Sequence, residues 1–182
     1  MAAFMPTSYE YLISESNLRM KINGGMSAAM LGDMLILGEE DKSYMIKDAE
    51  KTAYLMADDE DDSAEEMKPE VEKTDETKTI SGYDCQKYIV KMKTDGPPGE
   101  AVQTMWMTED LQIKRPKGAE KNGGAVFVNG VEGFPMMIET KTMGFTMVMK
   151  VTEVEKMSIP SSTFEIPKGY EIKDFNPKMF GR

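Results

Sequence analysis

Residues 142–151 read T-M-G-F-T-M-V-M-K-V, and the pattern of this stretch decides the fold class. Its odd positions are apolar from Met143 to Val151, whereas its even positions are mostly polar or small. Alternation with a period of two residues is typical of a β-strand that has one buried and one solvated face. The stretch therefore predicts a long strand, near the end of a curved antiparallel sheet.

The buried face of this predicted strand is unusual because it consists largely of methionine. Strand cores are normally rich in Val and Ile, whereas methionine is unbranched and can adapt to irregular apolar surfaces. The pattern therefore indicates either a pliable apolar cavity or a filled core that uses methionine as packing material, and the sequence leaves both open. The cavity candidates, which share apolar positions in the predicted strands, are Met105, Met107, Met136, Met143, Phe145, Met147 and Met149.

The same alternation recurs along the chain, at spacings of roughly 8–12 residues with turn signals between the segments. It predicts a mainly β fold, in which about nine to eleven strands form a curved antiparallel sheet or half-barrel with little helix. A short helical segment of one or two turns is expected either at residues 26–31 or within the acidic residues 57–78. Further strands are predicted at residues 8–14, 17–22, 33–37, 42–47, 52–56, 83–93, 101–108, 125–129 and 134–141.

An acidic segment interrupts this series of strands. A chain of 182 residues predicts one domain, here a single β domain over residues 1–182. Residues 57–78 contain eleven acidic residues and three lysines, and therefore carry −8 of the net charge of −10. Low hydrophobicity and high charge predict a mobile loop over this range. The run at 58–62 lacks the glycine and the distal glutamate of an EF-hand, so a solvated loop is favoured over a calcium site.

The scarcity of histidine and cysteine excludes several kinds of catalytic site. The chain has no histidine, which rules out Ser-His-Asp and Cys-His arrangements and removes the commonest metal ligand. Cys85 is the single cysteine and, without a neighbouring base, is expected to be a buried apolar residue rather than a nucleophile. Acidic neighbours such as Glu109 and Asp110 are typical of solvated turns, so hydrolysis is a distant alternative. We therefore expect a non-enzymatic protein without a cofactor.

Two M-x-M patterns, at residues 105–107 and 147–149, raise the alternative of a soft-metal site, because thioethers favour Cu(I). However, a spacing of two residues is also what burial on a strand requires, and histidine partners are missing. The methionines are therefore expected to form an apolar wall and not a metal site.

Charge and hydropathy also bear on the partners. No basic stripe is present, so nucleic acid is not expected as a partner. No run approaches the roughly 20 apolar residues of a membrane-spanning helix, which predicts no transmembrane segment. Arg19 alternates with Leu18 and Met20, which predicts a place on a solvated sheet face. Trp106 lies opposite its methionine neighbours and is expected either to cover the outer face of the sheet or to mark a contact surface.

Four segments of the chain resemble a known family. They are S-Y-E-Y at 8–11 with the strand at 17–22, T-K-T-I-S-G-Y-D-C-Q-K-Y at 77–88, W-M-T-E-D-L at 106–111 and P-S-S-T-F-E-I-P-K-G-Y at 160–170. Together they resemble domain of unknown function 4412, a bacterial and mostly exported family that is similar to the lipoprotein-carrier (LolA/LolB-like) half-barrels. The shared motifs are structural and include no catalytic signature.

The resemblance implies an extracytoplasmic location, in the periplasm or associated with the outer membrane, although no signal peptide is visible at residues 1–6. It implies no activity. The alternation of methionine and phenylalanine at residues 143–149, beside Met105 and Met107, instead leads us to expect a domain that binds or shields an apolar ligand, such as a lipid or an acyl chain, on a concave methionine-rich sheet face. The chain departs from the carriers because it has no good plug helix, and Tyr9 already belongs to an early strand of the pattern. A missing first strand would expose a sheet edge, so the alternative is a structural module of the cell envelope that forms a homodimer through that edge and has a filled core.

Overall fold

The computed structural model describes residues 5–56, 69–93, 100–111, 113, 127–128, 130–142 and 145–176. Over these ranges the chain contains eleven strands and one short α-helix, which confirms the predicted mainly β fold. The strands form two sheets, of six and five strands, instead of the one curved sheet that the sequence suggested. The chain divides into two compact units with one sheet in each, and the expectation of a single domain stays a prediction.

The first unit is built from the beginning and the end of the chain, with described residues 5–56 and 158–176. Its sheet has the strand order β1-β2-β3-β4-β5-β11, in which all neighbours are antiparallel except β5 and β11. The strands are β1 Ser8–Ser14, β2 Asn17–Asn23, β3 Asp33–Leu37, β4 Lys42–Lys47, β5 Thr52–Met56 and β11 Glu171–Asp174.

Helix α1 (Gly25–Leu31) follows β2, close to the predicted helical segment. Its end is fixed by Gly32, which has a φ of 67° and donates its N–H to the carbonyl of Ala28 at 2.9 Å. A Cβ at this position would collide with the carbonyl oxygen of Ile46. Only glycine therefore combines this left-handed conformation with the close approach of β4.

The segment after residue 158 covers one face of the first sheet. Alternating residues of β3 and β4, among them Leu35, Tyr44 and Ile46, form a buried cluster with Phe164. Phe164 is the last residue of the 3-10 helix Ser161–Phe164, and partly buried residues on both sides of that helix pack against the same cluster. The first unit thus supplies its own cover from a distant part of the chain.

The second unit contains a five-stranded meander in which each strand pairs with the next in antiparallel fashion. Ser81 and Gly82, with φ of 50° and 85°, join the first two strands in the two-residue turn that suits the twist of a hairpin. The strands are β6 Glu70–Ile80, β7 Tyr83–Lys93, β8 Glu100–Thr108, β9 Phe134–Thr142 and β10 Phe145–Lys150.

The acidic segment differs in part from its predicted form. Residues 57–68 lie outside the described residues, but residues 70–78 belong to β6, so the expectation of a loop is wrong there. The charged residues are accommodated because β6 is an edge strand with most of its side chains exposed. Cross-strand ion pairs join Glu76 to Lys87 and Glu70 to Lys91. Charge along an edge strand also discourages pairing with other chains.

The stretch at residues 142–151 also differs from the single long strand that its alternation predicted. Thr142 ends β9, β10 runs from Phe145 to Lys150, and these two strands pair with Thr142 opposite Phe145. The predicted strand at 125–129 is wrong at Phe127 and Val128, which are buried but lie in no strand, and its other residues lie outside the described ones. The short strand β11 was not anticipated, because its pairing with β5 depends on residues far apart in the sequence.

Candidate functional site

One face of the second sheet, which we call the methionine face, collects most of the predicted cavity residues. Met105 on β8 lies opposite Tyr88 on β7 and Ile138 on β9, and Ile138 in turn lies opposite Met149 on β10. Because side chains alternate along a strand, residues two positions away share this face. The described members of the face include Tyr88, Val90, Met92, Gln103, Met105, Met107, Ile138, Thr140, Met147 and Met149, with Val71 and Lys73 of β6 beside them.

The methionine face is closed at one end. Met105 and Met107 are almost fully inaccessible, and the segment that contains Val128 and Val131 packs against them in one buried cluster. Met136 is also fully buried, at a bulge where β9 has one more residue than β8. At this end Met105 and Met107 are brought together in packed core.

Other parts of the face, on β7 and on the edge strand β10, are less tightly covered. Met92, Met147 and Met149 are half-buried, and two of them, Met92 and Met149, pack against the same cluster. Met143 and the side chain of Phe145 lie outside the described residues, so their assignment to a cavity stays a prediction. The described methionines of this face thus range from closed core at Met105 and Met107 to partly accessible wall at Met92, Met147 and Met149.

A polar pair lies within this apolar face. Gln103 and Thr140 are direct neighbours across β8 and β9, and are 5% and 9% exposed. Among the described residues, neither the Oε1 atom of Gln103 nor the Oγ1 atom of Thr140 has a hydrogen-bond partner. Buried polar atoms are normally paired, because an unpaired one costs about 1–3 kcal/mol. Two such atoms side by side are therefore the most unusual chemical feature of the face.

Sequence reasoning missed this pair, although part of the signal was present. Gln103 has the same strand parity as Met105 and Met107, so a polar residue interrupts an apolar series. Thr140 stands in the same relation to Ile138. What the sequence could not give is the register between β8 and β9, which places the two interruptions next to each other.

The opposite face of the second sheet has a different character. The Lys78 Nζ atom lies 3.9 Å from the centroid of the Trp106 ring and 3.4 Å from the Met137 sulfur. Lys87 approaches the same ring at 5.8 Å and forms an ion pair with Glu76. Trp106 therefore lies opposite the methionines, as predicted, where lysine side chains cover it through cation–π contacts.

Cys85 has the properties of a structural residue, as predicted. Its side chain is 1% exposed, and its Sγ atom lies 3.3 Å from the carbonyl oxygen of Tyr83. Burial raises the pKa of the Cys85 thiol, which keeps it protonated and weakly nucleophilic. In the part of the chain that the structure describes, no three His, Cys, Asp or Glu side chains are grouped so that they could hold a metal ion.

Arg19, in the first unit, occupies a different environment from the solvated face that was predicted. Its Nε and Nη2 atoms donate to the Oδ2 atom of Asp33 at 3.2 and 2.9 Å, and its Nη1 atom donates to the carbonyl of Thr163 at 3.2 Å. The Arg19 and Asp33 side chains are only 14% and 20% exposed. Arg19 thus links strand β2 to the segment after residue 158, which covers the first sheet. This role depends on Thr163, which is far away in the sequence.

The fold and the site define a mainly β protein with a methionine-lined sheet face. The model of the family described as Domain of unknown function (DUF4412) matches residues 2–170, and the chain belongs to this family. No curated protein is significantly similar in sequence to this chain.

One solved structure supports the fold. The structure of PNGF-II in the C2 space group aligns with 94% of this chain at a TM-score of 0.57 and 14% sequence identity. The chain spans only 28% of the PNGF-II chain, so the likeness concerns the fold of a part of that protein. Among the described residues, no helix is long and apolar enough to cross a membrane.

Proposed function

We propose that this chain is a non-enzymatic domain that binds an apolar ligand, a lipid or an acyl chain, on the methionine face of its second sheet. The observation that carries the proposal is the continuity of this face, from the fully buried Met105 to the half-buried Met147 and Met149. A ligand placed against the accessible end would contact side chains that already belong to one apolar cluster.

The chemistry of methionine supports this role. An unbranched thioether side chain has several rotatable bonds, so a wall of such residues can re-pack around ligands of irregular shape. Each methylene group that a ligand buries contributes about 0.8 kcal/mol, before the cost of association is subtracted. No specific polar contact is needed for affinity of this kind.

We also propose that the domain works outside the cytoplasm, in the periplasm or next to the outer membrane. The support for this location is the resemblance to exported bacterial proteins. Fractionation of the native cells, followed by immunodetection of the chain, tests it directly. Recovery of the protein in the cytoplasmic fraction alone would contradict the proposed location.

Binding is tested on protein that has been stripped of lipid by organic extraction. Titration with the uncharged dye N-phenyl-1-naphthylamine is expected to give a saturable fluorescence increase, and mass spectrometry of the extract is expected to detect co-purified lipid. The variant Met147→Lys, which places a charge on the methionine face, is expected to lose dye binding. Met147→Gln provides a second variant with the same expected direction if the lysine variant does not fold.

The matched control is Val148→Lys, one residue further along β10. Val148 is 51% exposed and faces the other side of the sheet, so its replacement is expected to leave dye binding unchanged. Absence of both dye binding and co-purified lipid in the unmodified protein would overturn the proposal. Equal loss of binding in the Met147 and Val148 variants would also contradict it.

The two edges of the second sheet support a second candidate function. The β6 edge is charged and has a register shift between Lys73 and Thr77, both of which hinder pairing with another strand. At the other edge, β10 pairs only with β9 among the described strands and exposes Val148. The alternative is therefore a structural module of the cell envelope that forms a dimer through β10 and has a filled core.

Light scattering over a wide range of protein concentration tests this alternative. A concentration-dependent dimer that Val148→Lys dissociates is the expected result if β10 is the interface. A monomer at all concentrations would count against it. Because Val148→Lys should disturb pairing but not the methionine face, the same variant separates the two candidate functions.

A further inference from the structure

We propose that the ligand carries an uncharged hydroxyl or amide group, and that Gln103 and Thr140 recognise this group. The inference rests on the proposed function and narrows its ligand class. It predicts a neutral amphiphile, such as an acylglycerol or another lipid with a free hydroxyl or N–H, and not a hydrocarbon or a fatty-acid anion.

The positions of Gln103 and Thr140 allow the two side chains to bind one polar group together. Gln103 and Thr140 lie opposite each other on the methionine face, and both are at least nine-tenths buried. Among the described residues, the Gln103 Oε1 and Thr140 Oγ1 atoms have no partner. An amide oxygen needs a donor, whereas a hydroxyl can both donate and accept. A hydroxyl or an N–H placed between them would satisfy the amide oxygen and engage the threonine.

The surroundings of the pair supply the second step. Thr140 lies opposite Met147 on β10, and Ile138, two residues earlier, lies opposite Met149 and Met105. Two residues along a strand correspond to about 7 Å. A polar group bound at Gln103 and Thr140 would therefore lie within about 7 Å of the apolar side chains of Ile138, Met105 and Met149. That arrangement matches a molecule in which a polar group is joined directly to an apolar chain.

The distribution of charge supplies the third step. By register, the charged side chains on the described part of the methionine face include Lys73, which lies over the Tyr88 ring at 5.7 Å, and the exposed Asp84 near the start of β7. The register places Glu139 and Lys141 on the opposite face, together with Thr104 and Val102. The cross-strand neighbours of the pair are Val90 and Met147, so a carboxylate there would be buried without an adjacent cation among the described residues, which is unfavourable. A neutral group carries no such penalty.

The first experiment compares ligands that differ only at the polar group. Delipidated protein is titrated with 1-monooleoylglycerol and with oleic acid at pH 8, each by displacement of N-phenyl-1-naphthylamine. We expect the monoacylglycerol to bind roughly tenfold more tightly or better, which is the effect of about one well-placed hydrogen bond. Equal affinities, or tighter binding of oleic acid, would overturn the inference while leaving the proposed function intact.

The second experiment removes the polar atoms and keeps the side-chain shapes. The variants Thr140→Val and Gln103→Met are expected to weaken monooleoylglycerol binding by roughly tenfold each. The matched control is Thr104→Val, next to Gln103 on β8 but on the opposite sheet face, which is expected to leave monooleoylglycerol affinity unchanged. Unchanged monooleoylglycerol affinity in both variants would contradict the inference.

The stability of the ligand-free variants separates recognition from a structural role. If the Gln103 Oε1 and Thr140 Oγ1 atoms are unpaired until a ligand binds, Thr140→Val should raise the melting temperature of the ligand-free protein, because an unpaired buried hydroxyl is removed. If a bound water holds them as part of the fold, the same variant should lower the melting temperature. A crystal structure of the delipidated protein with an ordered water on both atoms, together with unchanged lipid affinity in the variants, would establish that structural role and refute the proposal. If the unmodified protein binds neither dye nor lipid, it is the proposed function that fails.

Discussion

The two buried sheet faces that have been described differ in how completely their polar groups are paired. In the first unit, the face around Leu35 and Tyr44 is covered by Phe164 and the residues on either side of it. In the second unit, the methionine face contains Gln103 and Thr140, each with an unpaired polar atom among the described residues. The face around Leu35 is therefore a closed core. The methionine face, by contrast, contains polar atoms that can still accept or donate a hydrogen bond.

In the first unit, polar side chains around the covered sheet face and in the segment 158–176, which covers it, are also hydrogen-bonded. The Tyr170 hydroxyl donates to Asp48 Oδ1 at 2.7 Å, and the Tyr54 hydroxyl donates to Glu50 Oε2 at 2.6 Å. The Tyr170 and Arg19 contacts hold a segment that is distant in sequence in one position on the sheet, and the Tyr54 contact is local. A core of branched and aromatic side chains with paired polar rims is rigid. One chain thus combines a core of fixed side chains in its first unit with a wall of flexible side chains in its second.

The largest expected effect is the loss of the aromatic cover in the first unit. Phe164 is 6% exposed, and Phe164→Ala is expected to lower the free energy of unfolding by about 3–5 kcal/mol. Urea unfolding measures the loss, and hydrogen exchange should show reduced protection in β3 and β4. Ile172→Ala in β11, where the side chain is 57% exposed, is the control and should change stability by less than about 0.5 kcal/mol. An equal loss in both variants would mean that the cover is not the main support of this face.

The next effect concerns the ion pair that fixes the covering segment. Arg19→Met is expected to cost about 2 kcal/mol, because it leaves Asp33 and the Thr163 carbonyl without their donor in a half-buried place. Lys21→Met, two residues along the same strand face, removes an exposed ion pair with Glu10 and should cost less than about 1 kcal/mol. Similar losses in the two variants would show that Arg19 acts as an ordinary surface charge.

A smaller effect is expected in the methionine face. Met105 is fully buried, and Met105→Leu should cost less than about 1.5 kcal/mol, because the volume is conserved and the neighbouring methionines can re-pack. Urea unfolding of this variant beside Phe164→Ala gives the comparison directly. A loss as large as that of Phe164→Ala would contradict the view that this face is adaptable.

The smallest expected effect is a pH dependence in the first unit. Hydrogen bonds from Tyr54 and then from Lys47 hold the pKa of Glu50 below its ordinary value of 4.5. A lowered pKa in the folded state means that the stabilisation is complete above about pH 4.5 and is lost as the pH falls through the folded value. The difference in unfolding free energy between the unmodified protein and Glu50→Gln should therefore shrink between pH 6 and pH 3. Tyr54→Phe, which removes the first donor, should weaken the same dependence, and a difference that is constant with pH would refute the assignment.

Much of the fold could be predicted from the sequence, because most strands bury one face and alternate accordingly. The predicted bounds of β1, β3, β4, β5 and β7 agree with the structure, and β2, β8 and β9 differ by about one residue at an end. The hairpin of β9 and β10 was missed because Met143 continues the apolar series across the junction of the two strands. Strand β6 was missed because charge dominates its composition, and charge indicates solvation without distinguishing an edge strand from a loop.

The candidate site was predictable in part for the same reason. Alternation identified Met105, Met107, Met147 and Met149 as residues on the buried faces of their strands. The register of β8, β9 and β10 shows that these buried faces are the same face of one sheet. Alternation could not identify Gln103 and Thr140, because their significance depends on which strands are neighbours. Likewise, the role of Arg19 depends on Thr163, and no local pattern connects two residues so far apart in the sequence.

The parallel pairing of β11 with β5 has a consequence for how the chain is made. Residues 171–174 cannot reach β5 until the whole second unit has left the ribosome, which takes seconds at roughly 5–20 residues per second. During that interval the outer edge of β5 and the apolar face around Leu35 lack their final cover, whereas the meander β6–β10 needs no later part of the chain for its pairing. The first unit, although its strands β1–β5 are made first, is therefore the later of the two to be completed.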